Sequence, residues 1–278
     1  MAKGERDQHG EPGVSSNPRI DTSRPTAARV YDYLLGGKDN FEADRRTGDL
    51  GIAGYPQAPM VARAERAYLG RVVRFFAADA GIRQFLDIGT GLPSGDNVHE
   101  VAQRVAPESA IVYVDYDPVV LAHAEALLKS TPEGATDYLE GDLRNPREIL
   151  DGAAKTLDFG KPVAVILLGI LHYIQEHEDP RGIIRTLADA LAPGSYLTIA
   201  QLANDIDPKM LEFTRAFNSE NPRSPQILRN REQIAGFFDD IGMELVEPGI
   251  VKMAEWRPGS EIEAKAPSPL WAGVARKP

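Results

Sequence analysis

Between residues 83 and 200, short apolar segments alternate with segments of helical periodicity. The predicted strands are Phe85–Ile88, Ile111–Val114, Tyr138–Leu139, Val163–Leu168 and Tyr196–Ala200. The predicted helices between them are Asp96–Ala106, Pro118–Lys129, a helix beginning at Asn145–Leu150, and Arg181–Leu191. Apolar strands separated by amphipathic helices are typical of a parallel sheet that is buried on both faces. This order predicts a doubly wound α/β fold.

The flanking sequence differs from this pattern and predicts three further regions. Residues 1–20 are rich in Gly, Pro, Ser and charge, and we expect a disordered tail. Residues 21–82 predict a helical cap, with one helix from Pro25 to the Gly36-Gly37 pair and another over Pro59–Ala80. Residues 83–278 predict the ligand-binding domain, with a helical insertion at about 205–230 and a terminal antiparallel strand pair, Glu244–Val246 with Leu270–Val274.

Composition limits the classes of partner. The net charge is −10, whereas a nucleic-acid binder usually carries a basic excess or stripe. No apolar run reaches the roughly 20 residues of a membrane-spanning helix, and the polar start of the chain lacks a secretory signal. The chain has no cysteine, and its histidines show no metal-ligand spacing. We therefore expect a cytoplasmic protein that binds neither nucleic acid, membrane nor metal.

The segment FLDIGTGLPSGDN carries the strongest chemical information. It runs from the first predicted strand into Gly89-Thr90-Gly91 and then into a helix. Glycines allow a tight turn close to a ligand, and the helix amino terminus attracts negative groups. Asp115 ends the second predicted strand, where a carboxylate accepts hydrogen bonds from ribose hydroxyls. The alternative for Asp115 is a helix cap or a surface turn.

The glycine spacing does not fit a nicotinamide dinucleotide. The third glycine of the dinucleotide pattern is replaced by Ser94, so a cofactor without phosphates fits better. S-adenosylmethionine is such a cofactor, and the Asp87 carboxylate would help to hold its cationic methionine end. Alternatively, backbone amides satisfy Asp87 at the end of its strand.

Three short motifs, DIGTG, VDYDP and GDL, resemble those of class I methyltransferases. Three longer segments, RPTAARVYDYLLGGKDNFEADR, LPSGDNVHEVAQ and PGIVKMAEWRP, resemble the S-adenosyl methyltransferase family, which was once catalogued as a domain of unknown function. The resemblance spans about Ile20 to Val274. It implies a Rossmann-like fold, with a seven-stranded, mostly parallel sheet, and S-adenosylmethionine as the cofactor. It does not identify the methyl acceptor.

The resemblance also assigns roles to individual residues. The methionine portion would lie against Asp87, Gly89, Thr90 and Gly91. The ribose would bind Asp115, the adenine ring would lie beside Tyr116, and the adenine amino group would donate to Asp142, which is followed by Leu143. The alternative role for Asp142 is to cap the helix that begins near Asn145.

The segment after the fourth predicted strand bears on the acceptor. Methyltransferases that act on nucleobase amino groups commonly have Asn or Asp, then Pro-Pro and an aromatic residue there, whereas this chain has Gly169-Ile170-Leu171-His172-Tyr173. The difference weighs against methylation of a nucleobase amino group. Gly169 is assigned to the cofactor site and His172 is the candidate general base. Alternatively, His172 packs beside the cofactor without moving a proton.

The amino-terminal block suggests a lid over the cofactor, in which Arg29 pairs with the methionine carboxylate and Tyr31 lines the site. The alternative is a helix pair that only covers the sheet. We thus predict S-adenosylmethionine-dependent methylation of a small molecule. A non-catalytic cofactor-binding protein of the same fold and a nicotinamide-dependent oxidoreductase are the alternatives.

Overall fold

A computed structural model describes residues 21–127, 129–239 and 241–278, so the predicted tail at 1–20 lies outside the described residues. The helices are α1 (Ala27–Leu35), α2 (Glu42–Gly54), α3 (Ala58–Arg74), α4 (Val98–Val105), α5 (Pro118–Leu127), α6 (Pro146–Ala153), α7 (Pro180–Asp189), α8 (Pro208–Glu220), α9 (Arg231–Ala235) and α10 (Glu261–Ala264). The strands are β1 (Gln84–Ile88), β2 (Ala110–Asp115), β3 (Ala135–Glu140), β4 (Ala164–Leu168), β5 (Tyr196–Leu202), β6 (Glu244–Leu245), β7 (Val251–Lys252) and β8 (Leu270–Arg276).

The strands form one mixed sheet in the order β3-β2-β1-β4-β5-β8-β6, with β7 also paired to β8. The first five strands are parallel, and β8 runs antiparallel to β5. This confirms the predicted parallel sheet with terminal antiparallel strands. Over the residues that the structure describes, the sheet has eight strands rather than the expected seven. The extra strand arises because two short strands, β6 and β7, pair with successive parts of β8.

Alternate residues of the central strands point to opposite faces of the sheet, as strand geometry requires. Phe85 belongs to the cluster that packs with helices α3 and α4, whereas Leu86 belongs to the cluster that packs with α6 and α7. Both faces of the sheet are therefore buried beneath helices, which confirms the doubly wound architecture.

The segment before the sheet contains three helices where the sequence indicated two. Helix α1 is capped by the Thr26 side chain and ends at Gly36, whose φ of 84° is the left-handed conformation that glycine adopts readily. Helix α2, which was not predicted, packs between α1 and α8. Helix α3 packs on the sheet through a buried stripe that includes Val61, Tyr68 and Val72. Across the described ranges, no helix combines the length and apolarity that crossing a membrane requires.

Candidate functional site

A cavity of about 720 Å³ opens at the carboxyl ends of strands β1, β2, β3 and β4 and is covered by α1, α2, α3 and α8. Strands β1 and β4 are neighbours in the sheet, and the chain leaves them in opposite directions along the strand order. Ligands of open α/β sheets bind at such switch points. The volume lies within the roughly 300–1,000 Å³ that is usual for small-molecule sites.

All but one of the sequence-predicted site residues line this cavity. Those present are Tyr31, Asp87, Gly89, Thr90, Gly91, Asp115, Tyr116, Asp142, Leu143, Gly169 and His172. The exception is Arg29. Within the described ranges, no three His, Asp or Glu side chains group in a way that would hold a metal ion.

The glycine turn follows β1 and is held against β2. The backbone N–H groups of Gly89 and Thr90 both donate to the carbonyl of Val114, at 2.8 and 3.2 Å. Gly89 and Gly91 have φ values of 76° and 66°, which side-chain-bearing residues rarely adopt. A Cβ at Gly89 would collide with Ile170, whereas one at Gly91 would meet no atom within 4 Å. Backbone at Gly91 therefore borders open cavity.

Asp115 at the end of β2 is bonded to that turn. Its Oδ2 accepts from the backbone N–H of Gly91 at 2.9 Å, and its Oδ1 accepts from the N–H of Asp117 at 3.0 Å. Burial raises the pKa of Asp115, although these hydrogen bonds oppose the rise. Each carboxylate oxygen keeps a lone pair for a ligand, because carboxylate oxygens accept more than one bond.

Asp87 on β1 is a second buried carboxylate in the cavity. The Thr90 hydroxyl donates to its Oδ2 at 2.9 Å. Burial raises the pKa of Asp87 from 3.8 to about 6, against the lowering effects of Thr90 and the Arg66 charge. A cationic ligand group beside Asp87 would restore its ionised form.

The adenine-binding residues predicted from the resemblance lie at the ends of β2 and β3. Asp142 accepts from the backbone N–H of Arg144 at 2.9 Å and forms an ion pair with the Arg144 guanidinium at 3.1 Å. The Asp142 carboxylate does not cap α6: Asn145 occupies the N-cap position, and its side chain makes no capping hydrogen bond. Tyr116 is half-exposed at the cavity edge, which suits a ring that stacks on a ligand.

His172 lies in a short 3-10 turn, Leu171–Tyr173, that follows β4. Its carbonyl accepts from the backbone N–H of Ile227 at 2.7 Å, and its Nδ1 has no hydrogen-bond partner among the described residues. Burial, together with the charge of Arg229, lowers the pKa of His172 from 6.5 to about 3. Such an imidazole is neutral and a weak base, and the role of His172 as general base stays a prediction.

Arg29 does not line the cavity, because its side chain is bonded to other parts of the chain. The guanidinium is buried, donates to the carbonyls of Asp21 and Arg24, and donates from Nε to the Thr26 hydroxyl at 2.9 Å. It also lies 3.4 Å from the Asp44 carboxylate. A buried guanidinium needs partners for all its donors, and the chain around α1 supplies them.

Sequence reasoning missed two charged residues of α3 that line the cavity, Glu65 and Arg66. Oε1 of Glu65 and Nε of Arg66 are buried without hydrogen-bond partners among the described residues. Burial raises the pKa of Glu65 from 4.5 to about 7. The sequence held a signal, because Glu65 interrupts an apolar stripe, four residues after Val61 and three before Tyr68.

Together, a 3-2-1-4-5 parallel sheet, an antiparallel edge and a glycine turn facing an acidic β2 end define a class I methyltransferase fold. The chain belongs to the S-adenosyl methyltransferase family, whose sequence model matches residues 14–278. It is accordingly an S-adenosylmethionine-dependent methyltransferase.

Solved structures agree with this assignment. A DUF574 family protein from Streptomyces avermitilis is 42% identical with a TM-score of 0.87, covering 93% of this chain and 99% of its own. A proposed methyltransferase from Thermobifida fusca is 43% identical with a TM-score of 0.85, covering 95% and 99%. An O-methyltransferase family protein from Burkholderia thailandensis shares the fold, at 16% identity and a TM-score of 0.52, covering 94% of this chain and 67% of its own. The comparison with curated proteins gave no match.

Proposed function

We propose that this methyltransferase acts on a small molecule that binds beside S-adenosylmethionine in the single cavity above β1–β4. The observation that carries the proposal is that Asp115 and Gly91 share one cavity with the end of β4. Residues of α1, α2, α3 and α8 also line this cavity, and its volume of about 720 Å³ suits a small molecule beside the cofactor. The acidic net charge of −10 also argues against a nucleic-acid acceptor.

The residues that line the polar part of the cavity fit the cofactor's functional groups. Open space beside Gly91 leaves room for the ligand against the backbone of the turn. Asp115 would accept from the ribose hydroxyls, and Asp142, beside Tyr116, would accept from the adenine amino group. Asp87 would attract the ammonium group of the methionine portion.

The methionine carboxylate needs a cationic partner, and Arg66 fits better than Arg29. Arg66 Nη2 donates to the carbonyls of Gly95 and Asp96 at 2.9 and 3.1 Å, and these bonds anchor the side chain beside the turn. Its buried Nε has no partner among the described residues and lines the same cavity. An N–H donor of a guanidinium is a strong partner for a carboxylate.

When bound, S-adenosylmethionine supplies an electrophilic methyl group and a neutral leaving group. The protein would then contribute mainly orientation, which can lower a barrier by roughly 7–11 kcal/mol. Residues 21–82 would act as a cap over the cofactor domain of residues 83–278, with the insertion at about 205–230 closing one side. We also propose a cytoplasmic location, which the cysteine-free composition supports.

Incubation with methyl-labelled S-adenosylmethionine and a fractionated cell extract tests the acceptor class. We expect label in the low-molecular-weight fraction. Label in RNA, DNA or protein instead would contradict a small-molecule acceptor. No transfer to any fraction, together with tight S-adenosylhomocysteine binding, would favour a non-catalytic cofactor-binding protein.

Thermal unfolding with S-adenosylhomocysteine or NAD⁺ tests the cofactor. Ligand at one hundred times its Kd stabilises a protein by about 2.7 kcal/mol, which raises the Tm of a chain of this size by about 5–10 °C. We expect this shift with S-adenosylhomocysteine and none with NAD⁺. The reverse pattern would favour the nicotinamide-dependent oxidoreductase.

A further inference from the structure

The cavity is larger than its polar part, and its remaining walls are apolar. They come from α2, α3, α8 and the ends of β5 and β8. The side chains that form this apolar chamber are Val61, Leu202, Met210, Phe213, Phe217 and Leu270. Most of them belong to the hydrophobic cluster on one face of the sheet, yet they also border open space. Apolar space left open beside a core costs stability, and a ligand that fills it would recover this cost.

Aromatic rings and glycines shape the chamber. The rings of Phe213 and Phe217 lie 5.8 Å apart at a tilt of 46°. Opposite them, α2 presents backbone, because a Cβ at Gly51 would lie 3.8 Å from the Phe213 ring. A flat or ring-shaped apolar molecule therefore matches these walls better than a polar one.

Glu65 stands between the polar part of the cavity and the apolar chamber. It lies one helical turn after Val61 of the chamber, and its Oε1 would be 2.8 Å from a Cβ at Gly169. Gly169 follows β4, which pairs with β1 and its turn. The nearby Tyr31 hydroxyl lowers the pKa of Glu65 slightly against the effect of burial, but it donates its hydrogen to the Ala62 carbonyl at 3.0 Å. The buried Oε1 therefore has no hydrogen-bond partner among the described residues, and a ligand donor there would satisfy it.

We propose that the apolar chamber binds the methyl acceptor, and that this acceptor is a largely apolar, ring-containing molecule whose reacting hydroxyl donates a hydrogen bond to Glu65. The inference rests on the proposed function and adds the acceptor's chemical class. A neutral hydroxyl suits the chamber better than an ammonium group, because burying a charge among aromatic and aliphatic side chains is costly.

The proton balance assigns Glu65 its role. The acceptor oxygen forms a bond to the methyl carbon as the carbon–sulfur bond breaks, and that electron pair stays on the sulfur. The hydroxyl proton passes to the Glu65 carboxylate and then to solvent. His172 is not needed for this step, and its neutral imidazole is consistent with a packing role.

Isothermal titration with 2-naphthol and naphthalene, in the presence of saturating S-adenosylhomocysteine, tests the proposal by binding alone. We expect 2-naphthol to bind the wild-type protein more tightly than naphthalene. At about pH 8, where Glu65 with its pKa of about 7 is mostly ionised, Glu65→Gln should weaken 2-naphthol about tenfold and leave naphthalene unchanged, because a charged acceptor becomes a neutral one. Glu125→Gln, an exposed change on α5, is the matched control and should alter neither affinity.

Two changes in the chamber test its location. Gly51→Leu adds a side chain into the space beside Phe213 and should abolish binding of both probes while S-adenosylhomocysteine affinity is retained. Gly70→Leu is its control, because a Cβ at that helical glycine would meet no atom within 4 Å. Phe217→Ala is an independent variant that removes one wall, and it should weaken both probes several-fold.

Each outcome separates this inference from the proposed function. If S-adenosylhomocysteine fails to bind, the proposed function fails, and the probes can still be titrated alone. If it binds but Gly51→Leu and Phe217→Ala leave probe affinity unchanged, the chamber is not the acceptor site. Three results would overturn the assigned acceptor class. They are an equal loss of affinity for both probes in Glu65→Gln, tighter binding of 2-naphthylamine than of 2-naphthol, and no binding of either probe to the wild-type protein.

Discussion

The Asp115 carboxylate on β2 accepts a hydrogen bond from the backbone N–H of Gly91 on the neighbouring turn, at 2.9 Å. This bond joins the two features that the sequence placed at separate strand ends, 24 positions apart (115 − 91). It holds the glycine turn in the conformation that borders the cavity, and it orients the carboxylate beside the same space. The cofactor-binding prediction therefore depends on this pair more than on either residue alone.

Asp115→Asn should weaken S-adenosylhomocysteine about tenfold or more, because an amide replaces a charged acceptor of the ribose hydroxyls. Titration calorimetry measures the effect. Asp151→Asn, an exposed change on α6, is the matched control and should bind as the wild-type protein does. Equal affinities for the two variants would remove Asp115 from the binding site.

Gly91→Ala should lose cofactor affinity, and Gly242→Ala should not. The two glycines have the same φ of 66°, and a Cβ at either would meet no protein atom within 4 Å. Both substitutions should therefore cost a similar free energy of unfolding, about 1–2 kcal/mol. Only Gly91 lines the cavity. S-adenosylhomocysteine titration of the two variants compares them, and a similar loss of affinity in both would show that backbone strain alone explains the effect.

Glu65→Gln should change how stability depends on pH. In the folded protein the pKa of Glu65 is raised to about 7, so between about pH 4.5 and 7 the folded state binds more protons than the unfolded state. The free energy of unfolding of the wild-type protein therefore falls as pH rises through that window. Glu65→Gln has no titrating group at this position, so its free energy of unfolding lacks this fall. The variant should gain roughly 2–3 kcal/mol relative to wild type across the window.

Urea unfolding at about pH 5 and about pH 8 measures this gain, with Glu125→Gln as the control. Asp87 contributes a similar loss in both proteins, because its pKa is raised to about 6 by burial, and it cancels in the comparison. A constant difference between Glu65→Gln and wild type at the two pH values would mean that Glu65 is not titrating as a buried group.

Arg229→Met should destabilise the loop that carries His172. The buried Arg229 guanidinium donates to the carbonyls of Leu171 and Ile174 at 2.9 and 2.8 Å, so removing it leaves both without this donor. The expected loss is on the order of 2–4 kcal/mol in the free energy of unfolding. Urea denaturation measures it, with the exposed Arg215→Met on α8 as the control. A loss no larger than the control's would contradict this anchoring role.

The sheet and the polar part of the cavity could be predicted because parallel strands constrain them. Carboxyl ends of parallel strands meet at one edge, so Asp87, Asp115 and Asp142 were expected there before their contacts were known. The glycine turn was equally predictable, because only glycine tolerates those φ values without strain.

The cap was less predictable because tertiary packing decides it. Helix α2 contains Gly48, Gly51 and Gly54, which weaken the helical signal in sequence. In the fold Gly48 is needed, because a Cβ there would collide with the Tyr33 ring. The roles of Arg29 and Glu65 depend in the same way on neighbours from distant parts of the chain. Sequence periodicity shows that a helical face is buried, but it does not show which partner a charged side chain meets there.

A crystal structure of the S-adenosylhomocysteine complex tests the central claim most directly. The account predicts ribose hydroxyls within hydrogen-bond distance of the Asp115 carboxylate, the amino-acid portion beside Gly91 and Arg66, and the sulfur facing Glu65. A ligand bound elsewhere, or one bound here whose ribose makes no contact with Asp115, would contradict it.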